Sequence, residues 1–283
     1  MKPDTFRDQV VIITGASAGI GKALALQLAG QGARIAIAAR RVERLEQVAE
    51  ECRSLGGAVL VVPTDVSDEA QCKALVEQTA AAYGRLDMLI NNAGLAAVAL
   101  FDDFPDLHLF QHTMGINFYG AVYCTYYALP YLKQVQGRIV AISSLGGKVA
   151  LPYNTPYVSS KYALHGFYDA LRMELARHGV SVTMICPFWV ATEFHTAQLN
   201  KDGVPRGAAR GKDMYTAKTM TAERCAEITL RAAHKRYREV LMGPGFLAAW
   251  LKVLAPGLLD WLVVKVFLEP IVRRARAHQK DVQ

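Results

Sequence analysis

The feature that most constrains this chain is a regular alternation of short apolar runs with longer helical patterns. Runs of strand length, rich in Val and Ile, lie at residues 9–14, 34–39, 59–63, 88–91, 138–143, 181–186 and 239–242. Helical patterns begin near Gly19, Val42, Asp68, Asp106, Thr155 and Ala222. Most of the strand runs are continuously apolar, as expected where both faces of a sheet are covered. Strand–helix alternation of this kind predicts an α/β fold, a doubly wound parallel seven-stranded sheet with helices on both faces. A 283-residue chain that is 52% hydrophobic can build such a core without disulfides or a structural metal. No stretch rich in Pro, Gly and Ser divides it, so residues 1–245 are expected to form one catalytic domain.

Charge and cysteine usage narrow the function classes. The net charge is +7, but no low-complexity basic tract accompanies it, and a nucleic-acid partner is not expected. The five cysteines, Cys52, Cys72, Cys124, Cys186 and Cys225, are dispersed and form no Cys-x-x-Cys pair. Their spacing predicts reduced thiols in a cytoplasmic protein, with no metal or disulfide framework. Met1-Lys2-Pro3-Asp4 leads directly into the first strand pattern without an apolar h-region, so no signal peptide is expected.

The first strand run ends in Thr14-Gly15-Ala16-Ser17-Ala18-Gly19-Ile20-Gly21, and a helix follows. Free N–H groups and the positive end of a helix suit a pyrophosphate, and glycines allow close backbone approach. After the second strand run the sequence reads Ala38-Ala39-Arg40-Arg41. An acidic residue there would pair with the ribose 2′-hydroxyl of NAD, whereas a guanidinium suits a 2′-phosphate. Arg40, with the hydroxyl of Ser17, therefore points to NADP(H). Tyr157 and Lys161 stand four residues apart in a predicted helix, hence on one face, and Ser144 lies thirteen residues before Tyr157.

With these motifs in order, the chain over roughly residues 8–243 resembles the short-chain dehydrogenase/reductase family, whose fold is Rossmann-like. The resemblance implies that Ser144, Tyr157 and Lys161 are catalytic, with Ser143 the less favoured serine. It implies that Asn117, in Ile116-Asn117-Phe118-Tyr119-Gly120, holds a water linking the lysine to solvent. Asp65 and Val66, after the third strand, would meet the adenine, although Asp65 also reads as a plain residue near a helix start. Asn92, Ala93 and Gly94, in Asn91-Asn92-Ala93-Gly94, would border the cofactor ribose. Pro187, Val190 and Thr192 would face the nicotinamide, with the Thr192 hydroxyl on its carboxamide. The family usually has Gly after the Pro187 position. Phe188 is a departure there, and it places an aromatic near the substrate.

The chemistry requires these residue types. Hydride addition to a ketone leaves an alkoxide that needs a proton, and Tyr157 can supply it. A free phenol titrates near ~10, so the positive charges of Lys161 and of oxidised nicotinamide are expected to lower it. Ser144 would hydrogen-bond the carbonyl oxygen as charge develops. Lys161 would also hold the ribose hydroxyls.

Substrate positions are predicted at Ser144, Leu145, Leu151, Tyr153, Phe188 and Trp189, with residues 188–215 as a lid. Their apolar and aromatic character suggests a bulky lipophilic carbonyl or alcohol of steroid, retinoid or keto-lipid type. Ser143-Ser144-Leu145-Gly146-Gly147-Lys148-Val149-Ala150 resembles the hydroxysteroid dehydrogenase branch and its membrane-associated relatives. The alternatives are an NAD-dependent dehydrogenase of small carbonyls and a non-catalytic NADP(H)-binding sensor or scaffold. Residues 246–283 read as an apolar helical extension, broken at Pro256-Gly257, with a basic tail at Arg273, Arg274, Arg276 and Lys280. This segment suits peripheral contact with a membrane surface, or packing over the pocket or in an oligomer interface; charges and the break disfavour a span. The resemblance also implies a homodimer or homotetramer through the helices carrying Asn117 and Tyr157.

Overall fold

The computed structural model describes residues 5–207, 219–243 and 245–269. Its strands, in chain order, are β1 (Val10–Thr14), β2 (Arg34–Ala39), β3 (Ala58–Pro63), β4 (Met88–Asn91), β5 (Arg138–Ile142), β6 (Ser181–Cys186), β7 (Val190–Ala191), β8 (Met220–Thr221) and β9 (Glu239–Leu241). Seven of them form one parallel sheet in the order β3-β2-β1-β4-β5-β6-β9, while β7 and β8 pair separately. The strand order reverses between β1 and β4, and the crevice at their carboxyl ends is where such sheets bind ligands.

The helices are α1 (Gly19–Ala29), α2 (Val42–Ser54), α3 (Glu69–Tyr83), α4 (His108–Met114), α5 (Gly120–Gln134), α6 (Thr155–Leu175), α7 (Ala222–His234), α8 (Gly245–Leu254) and α9 (Pro256–Val263). The continuously apolar strand runs are explained by cover on both faces. Leu24, Leu28, Leu45 and Leu230, from α1, α2 and α7, pack with Val11, Ile13, Ile35 and Ile37 on one side. Leu75, Leu132, Leu164 and Tyr168, from α3, α5 and α6, pack with Val10, Ile12 and Leu89 on the other. One polar tie crosses the second layer: Asn91 Nδ2 donates to Thr125 Oγ1 at 3.1 Å and to the Tyr168 hydroxyl at 2.8 Å. It fixes β4 to α5 and α6.

A cap accounts for one helix start: Asp68 Oδ1 accepts from the Gln71 N–H at 3.1 Å, so α3 starts at Glu69. Asp106 lies in the turn before α4, where its Oδ1 accepts from the His108 N–H at 2.8 Å, and α4 starts at His108. Between α4 and α5 the helix widens into a π turn, Gly115–Tyr119, which carries Asn117. Such turns are frequent at functional sites.

In the C-terminal segment, Leu259 of α9 packs against Leu145 and Val149, just beyond the β5 end. The opposite faces of α8 and α9 leave Leu247, Trp250, Val253, Leu254 and Trp261 exposed. No helix among the described residues is long and apolar enough to cross a membrane. The basic tail lies outside the described residues.

Candidate active site

The turn between β1 and α1 is built to receive an anion. Ala18, at the α1 N-cap, offers no side-chain oxygen, and no carboxylate sits in the first turn, so the helix start keeps its positive character. Gly15 and Gly19 hold φ of 66° and 54°, backbone that side chains rarely adopt. Thr14 and Asn92 lock the turn to the end of β4. Thr14 Oγ1 accepts from the N–H groups of Asn92 and Ala93 at 3.0 and 3.1 Å. Asn92 Nδ2 donates to the carbonyls of Thr14 and Gly15 at 2.9 and 3.1 Å. Thr14 is a positioning residue that the motif reading passed over, because its part is played by hydrogen bonds from a distant strand end.

The cradle is tight. A Cβ on Gly21 would lie 2.3 Å from the Gly15 carbonyl oxygen and 2.6 Å from Asn92 Nδ2. Gly21→Ala is therefore expected to cost about 1–3 kcal/mol of stability and to weaken dinucleotide binding. Thermal melts with and without NADPH check this; a variant that melts and binds like the parent would show that the contact is not tight.

At the far end of the turn the two arginines divide. Arg41 Nη2 donates to Ser17 Oγ at 3.3 Å, whereas Arg40 Nη1 lies 3.9 Å from the Asp65 carboxylate. Asp65 also accepts from the Ser67 N–H and hydroxyl at 3.0 and 2.7 Å. Burial alone would raise the Asp65 carboxyl, but the Ser67 bonds and Arg40 outweigh it and hold the group below the usual range. Arg40, the residue singled out from sequence, thus already has an acidic neighbour, and Arg41 is the cation beside Ser17. Gly15, Ser17, Gly19, Ile20, Arg40, Arg41, Asp65, Val66, Asn92, Ala93 and Gly94 all line the cleft, whereas Gly21 lies beneath it.

Three elements bring the reacting groups together. Ser144 follows β5, while Tyr157 and Lys161 project from one face of α6. The Ser144 side chain hydrogen-bonds the Tyr157 phenol, and its Oγ also accepts from the Gly146 N–H at 3.0 Å. The neighbouring Ser143 also lines the cleft, but its hydroxyl lies 3.1 Å from Nε2 of the buried His165. Lys161 is buried and donates to the Ile142 carbonyl at 2.9 Å, with its Nζ 5.6 Å from the Tyr157 ring centroid.

Burial pushes the Tyr157 phenol up to about 12, and the Ser144 hydrogen bond only partly offsets it. The same burial pulls Lys161 down to about 8. Burial is the largest cause of both shifts, and the Lys161 hydrogen bond goes to the Ile142 carbonyl. Asn117 Oδ1 accepts from the Leu95 N–H at 2.7 Å, and its Nδ2 donates to the Leu95 carbonyl and to Ser160 Oγ, each at 2.8 Å. Both amide hydrogens are used inside the chain, so this side chain clamps the segment after β4 to α6.

The cleft has a volume of about 1050 Å³, room for a dinucleotide and a substrate together. Pro187, Val190 and Thr192 line it, and a Cβ on Gly19 would stand 3.2 Å from Thr192. Leu145, Leu151, Tyr153, Phe188 and Trp189 line it as well. Tyr153 holds φ at 65°, a strained value for a non-glycine, and its carbonyl accepts from the Ala99 N–H at 3.0 Å. Phe194 and His195 also line the cleft and were not separated from the rest of the lid by sequence. The Phe194 ring lies 5.8 Å from that of Tyr157, and His195 stacks on Trp189 at 5.1 Å. Of the expected lid, residues 208–215 lie outside the described residues.

Comparison with known proteins agrees with this architecture. Residues 9–203 match the family model for short chain dehydrogenases. The chain is 36% identical over 272 residues to an 11-beta-hydroxysteroid dehydrogenase of Pinus massoniana, covering 94% of this chain and 76% of that one. It is likewise 36% identical over 276 residues to the 11-beta-hydroxysteroid dehydrogenase-like 2 protein of Arabidopsis thaliana, covering 94% and 85%. Among solved structures it resembles an alcohol dehydrogenase of Thermococcus sibiricus complexed with 5-hydroxy-NADP, with a TM-score of 0.72 and 26% identity, covering 83% of this chain and 96% of that one. The chain belongs to the short-chain dehydrogenase/reductase family of oxidoreductases. Within that family its relatives put it in the hydroxysteroid dehydrogenase-like branch.

Proposed function

We propose that this chain catalyses reversible hydride transfer between NADP(H) and a lipophilic ketone or secondary alcohol of steroid, retinoid or keto-lipid type. The observation that carries the reading is the Ser144–Tyr157–Lys161 cluster in a cleft that Leu145, Leu151, Tyr153, Phe188 and Trp189 also line. The 11-beta-hydroxysteroid dehydrogenase relatives from plants and the NADP analogue held by the archaeal enzyme support the same direction. Gly15, Gly19, Ile20 and Gly21 would hold the pyrophosphate, and Arg41, Arg40 and Ser17 the 2′-phosphate. Asp65 and Val66 would meet the adenine. Asn92, Ala93, Gly94 and Lys161 would hold the ribose next to the nicotinamide, itself flanked by Pro187, Val190 and Thr192. When bound, the dinucleotide supplies or accepts the hydride.

The chain's own groups handle the proton. Near neutral pH Tyr157 is a protonated phenol, so in the reductive direction its Oη gives a proton to the carbonyl oxygen as that oxygen gains charge. The Ser144 hydroxyl donates to the same oxygen. The Lys161 ammonium stabilises the phenolate that remains. Leu145, Leu151, Tyr153, Phe188 and Trp189 exclude water and select an apolar substrate, with residues 188–215 as its lid. NADPH oxidation against ketones of graded size and apolarity tests the substrate class; turnover confined to small polar carbonyls would overturn it.

Cofactor choice follows from the arginines. Arg41→Ala removes a charge-assisted contact of about 1.5–3 kcal/mol, so KM for NADPH is expected to rise roughly ten- to a hundredfold. KM for NADH should be little changed. Equal effects on both cofactors would count against 2′-phosphate recognition.

The apolar face of α8 and α9, with Lys252 and Lys265 nearby and the basic tail in sequence, supports peripheral contact with an anionic membrane surface. Flotation with anionic against neutral vesicles tests it; no difference between the two speaks against this role. Exposed Tyr126 on α5 and Met173 on α6 support a homodimer or homotetramer, which light scattering checks; a monomer there would refute it.

A further inference from the structure

A second cluster lies behind the catalytic loop, on groups that hydride transfer does not use. β6 and β9 pair in parallel with Met184 opposite Glu239 and Cys186 opposite Leu241, so Cys186 and Glu239 project from the same face of the sheet. His165, on α6, lies over that face. One donor atom from each of His165, Cys186 and Glu239 falls within 4.8 Å of the others. We propose that these three side chains form a binding site for a borderline-soft divalent cation, Zn²⁺.

Three observations support the assignment. First, the donor set is imidazole nitrogen, thiol sulfur and carboxylate oxygen, the types that zinc prefers. Second, His165 is only 7% exposed, yet its Nδ1 has no hydrogen-bond partner. That nitrogen faces the Glu239 carboxylate, with 3.5 Å between Nδ1 and Oε2. Buried nitrogens are rarely left unsatisfied, and a cation shared with the carboxylate and the thiol would satisfy this one. Third, the ring is already oriented between the other two donors: Nε2 lies 3.1 Å from Ser143 Oγ, the kind of outer-shell hydrogen bond that commonly fixes a metal-bound imidazole, and 3.7 Å from Cys186 Sγ, a contact the thiol gives up when it turns to the cation. Burial, with Lys148 nearby, keeps the imidazole neutral, which is its ligand form.

One group competes. Lys148 Nζ sits 2.6 Å from Glu239 Oε2, and both side chains are about a quarter exposed, so the cluster opens to the surface on this side. Binding therefore exchanges one cation for another. The Lys148 ammonium leaves the carboxylate, the Cys186 thiol releases its proton to solvent, and the sulfur binds as thiolate. His165 Nδ1 and Glu239 complete three protein bonds, and a water takes the fourth position. The cysteine spacing gave no sign of such a site, because its ligands come from three separate elements. The inference does not depend on which ketone the enzyme reduces.

The test is titration of the full-length protein with Co²⁺, a spectroscopic stand-in for Zn²⁺, followed by displacement with Zn²⁺. A thiolate-to-cobalt charge-transfer band is expected in the parent, and Cys186→Ser should remove it. Glu239→Gln should weaken binding at least about tenfold. Lys148→Met should strengthen it by about fivefold, since the competing ion pair is lost. A site formed elsewhere, such as at the buried Cys72 and Cys124, would keep its band in Cys186→Ser and overturn the assignment. So would the absence of any band, or tighter binding in Lys148→Met that persists when Glu239→Gln is added.

Discussion

Tyr157→Phe is expected to lower kcat for ketone reduction by about 10²–10⁴-fold while leaving NADPH affinity nearly unchanged. The substitution removes one hydroxyl and keeps the ring, so the contact with Phe194 survives. What is lost is the phenolic proton donor beside Ser144. At the middle of that range the loss is about 4 kcal/mol of transition-state stabilisation. Because burial holds the phenol at about 12, it stays protonated across the neutral range and is the correct form for an acid. Steady-state kinetics with fluorescence titration of NADPH separate the two effects. Parallel losses of binding and turnover would indicate a structural role for Tyr157 instead.

Lys161→Met is expected to abolish turnover and at the same time raise the melting temperature. Lys161 is 3% exposed, and burial pulls its ammonium from 10.5 down to about 8. That drop corresponds to about 3 kcal/mol of destabilisation while the group is charged in both states. Methionine fills similar space without the charge, but leaves the Ile142 carbonyl without its donor, which returns about 1–2 kcal/mol. The net gain is about 1–2 kcal/mol, a few degrees in Tm for a chain of this size. The sign of the pH dependence gives an independent check. Between about 8 and 10.5 the unfolded lysine binds more protons than the folded one, so this residue makes stability rise with pH through that window. Its cost is fully present below pH 8, and the rise should vanish in Lys161→Met. A variant less stable than the parent at neutral pH would mean that the Ile142 bond outweighs desolvation.

The sheet was readable because its strands are buried on both faces. Runs such as Val10–Thr14 carry no polar alternation that a helix reading could claim. The reacting residues were readable because Tyr157 and Lys161 share one helix face and the glycine turn keeps fixed spacing. Other features depend on contacts between distant segments. Thr14 and Asn92 act on each other across 78 positions, and nothing local to either marks the pairing. The division of labour between Arg40 and Arg41 follows from Asp65, which approaches only through β2–β3 pairing. Phe194 and His195 were hidden inside a segment without periodicity, so their approach to Tyr157 and Trp189 had no sequence signal. The phenol of Tyr157 was expected to be lowered because sequence supplied the neighbouring charge but not the depth of burial.

The central claim is that this site passes a hydride from NADPH to the carbonyl carbon of a lipophilic ketone. The most direct measurement is deuterium transfer, with NADPH labelled at its reactive carbon and a bulky ketone such as a steroid. Mass spectrometry of the product alcohol then reads the outcome. The account expects one deuterium on the carbinol carbon, formed by the parent protein and not by Tyr157→Phe. An unlabelled alcohol, or no alcohol from any lipophilic ketone while a small polar carbonyl is reduced, would contradict it.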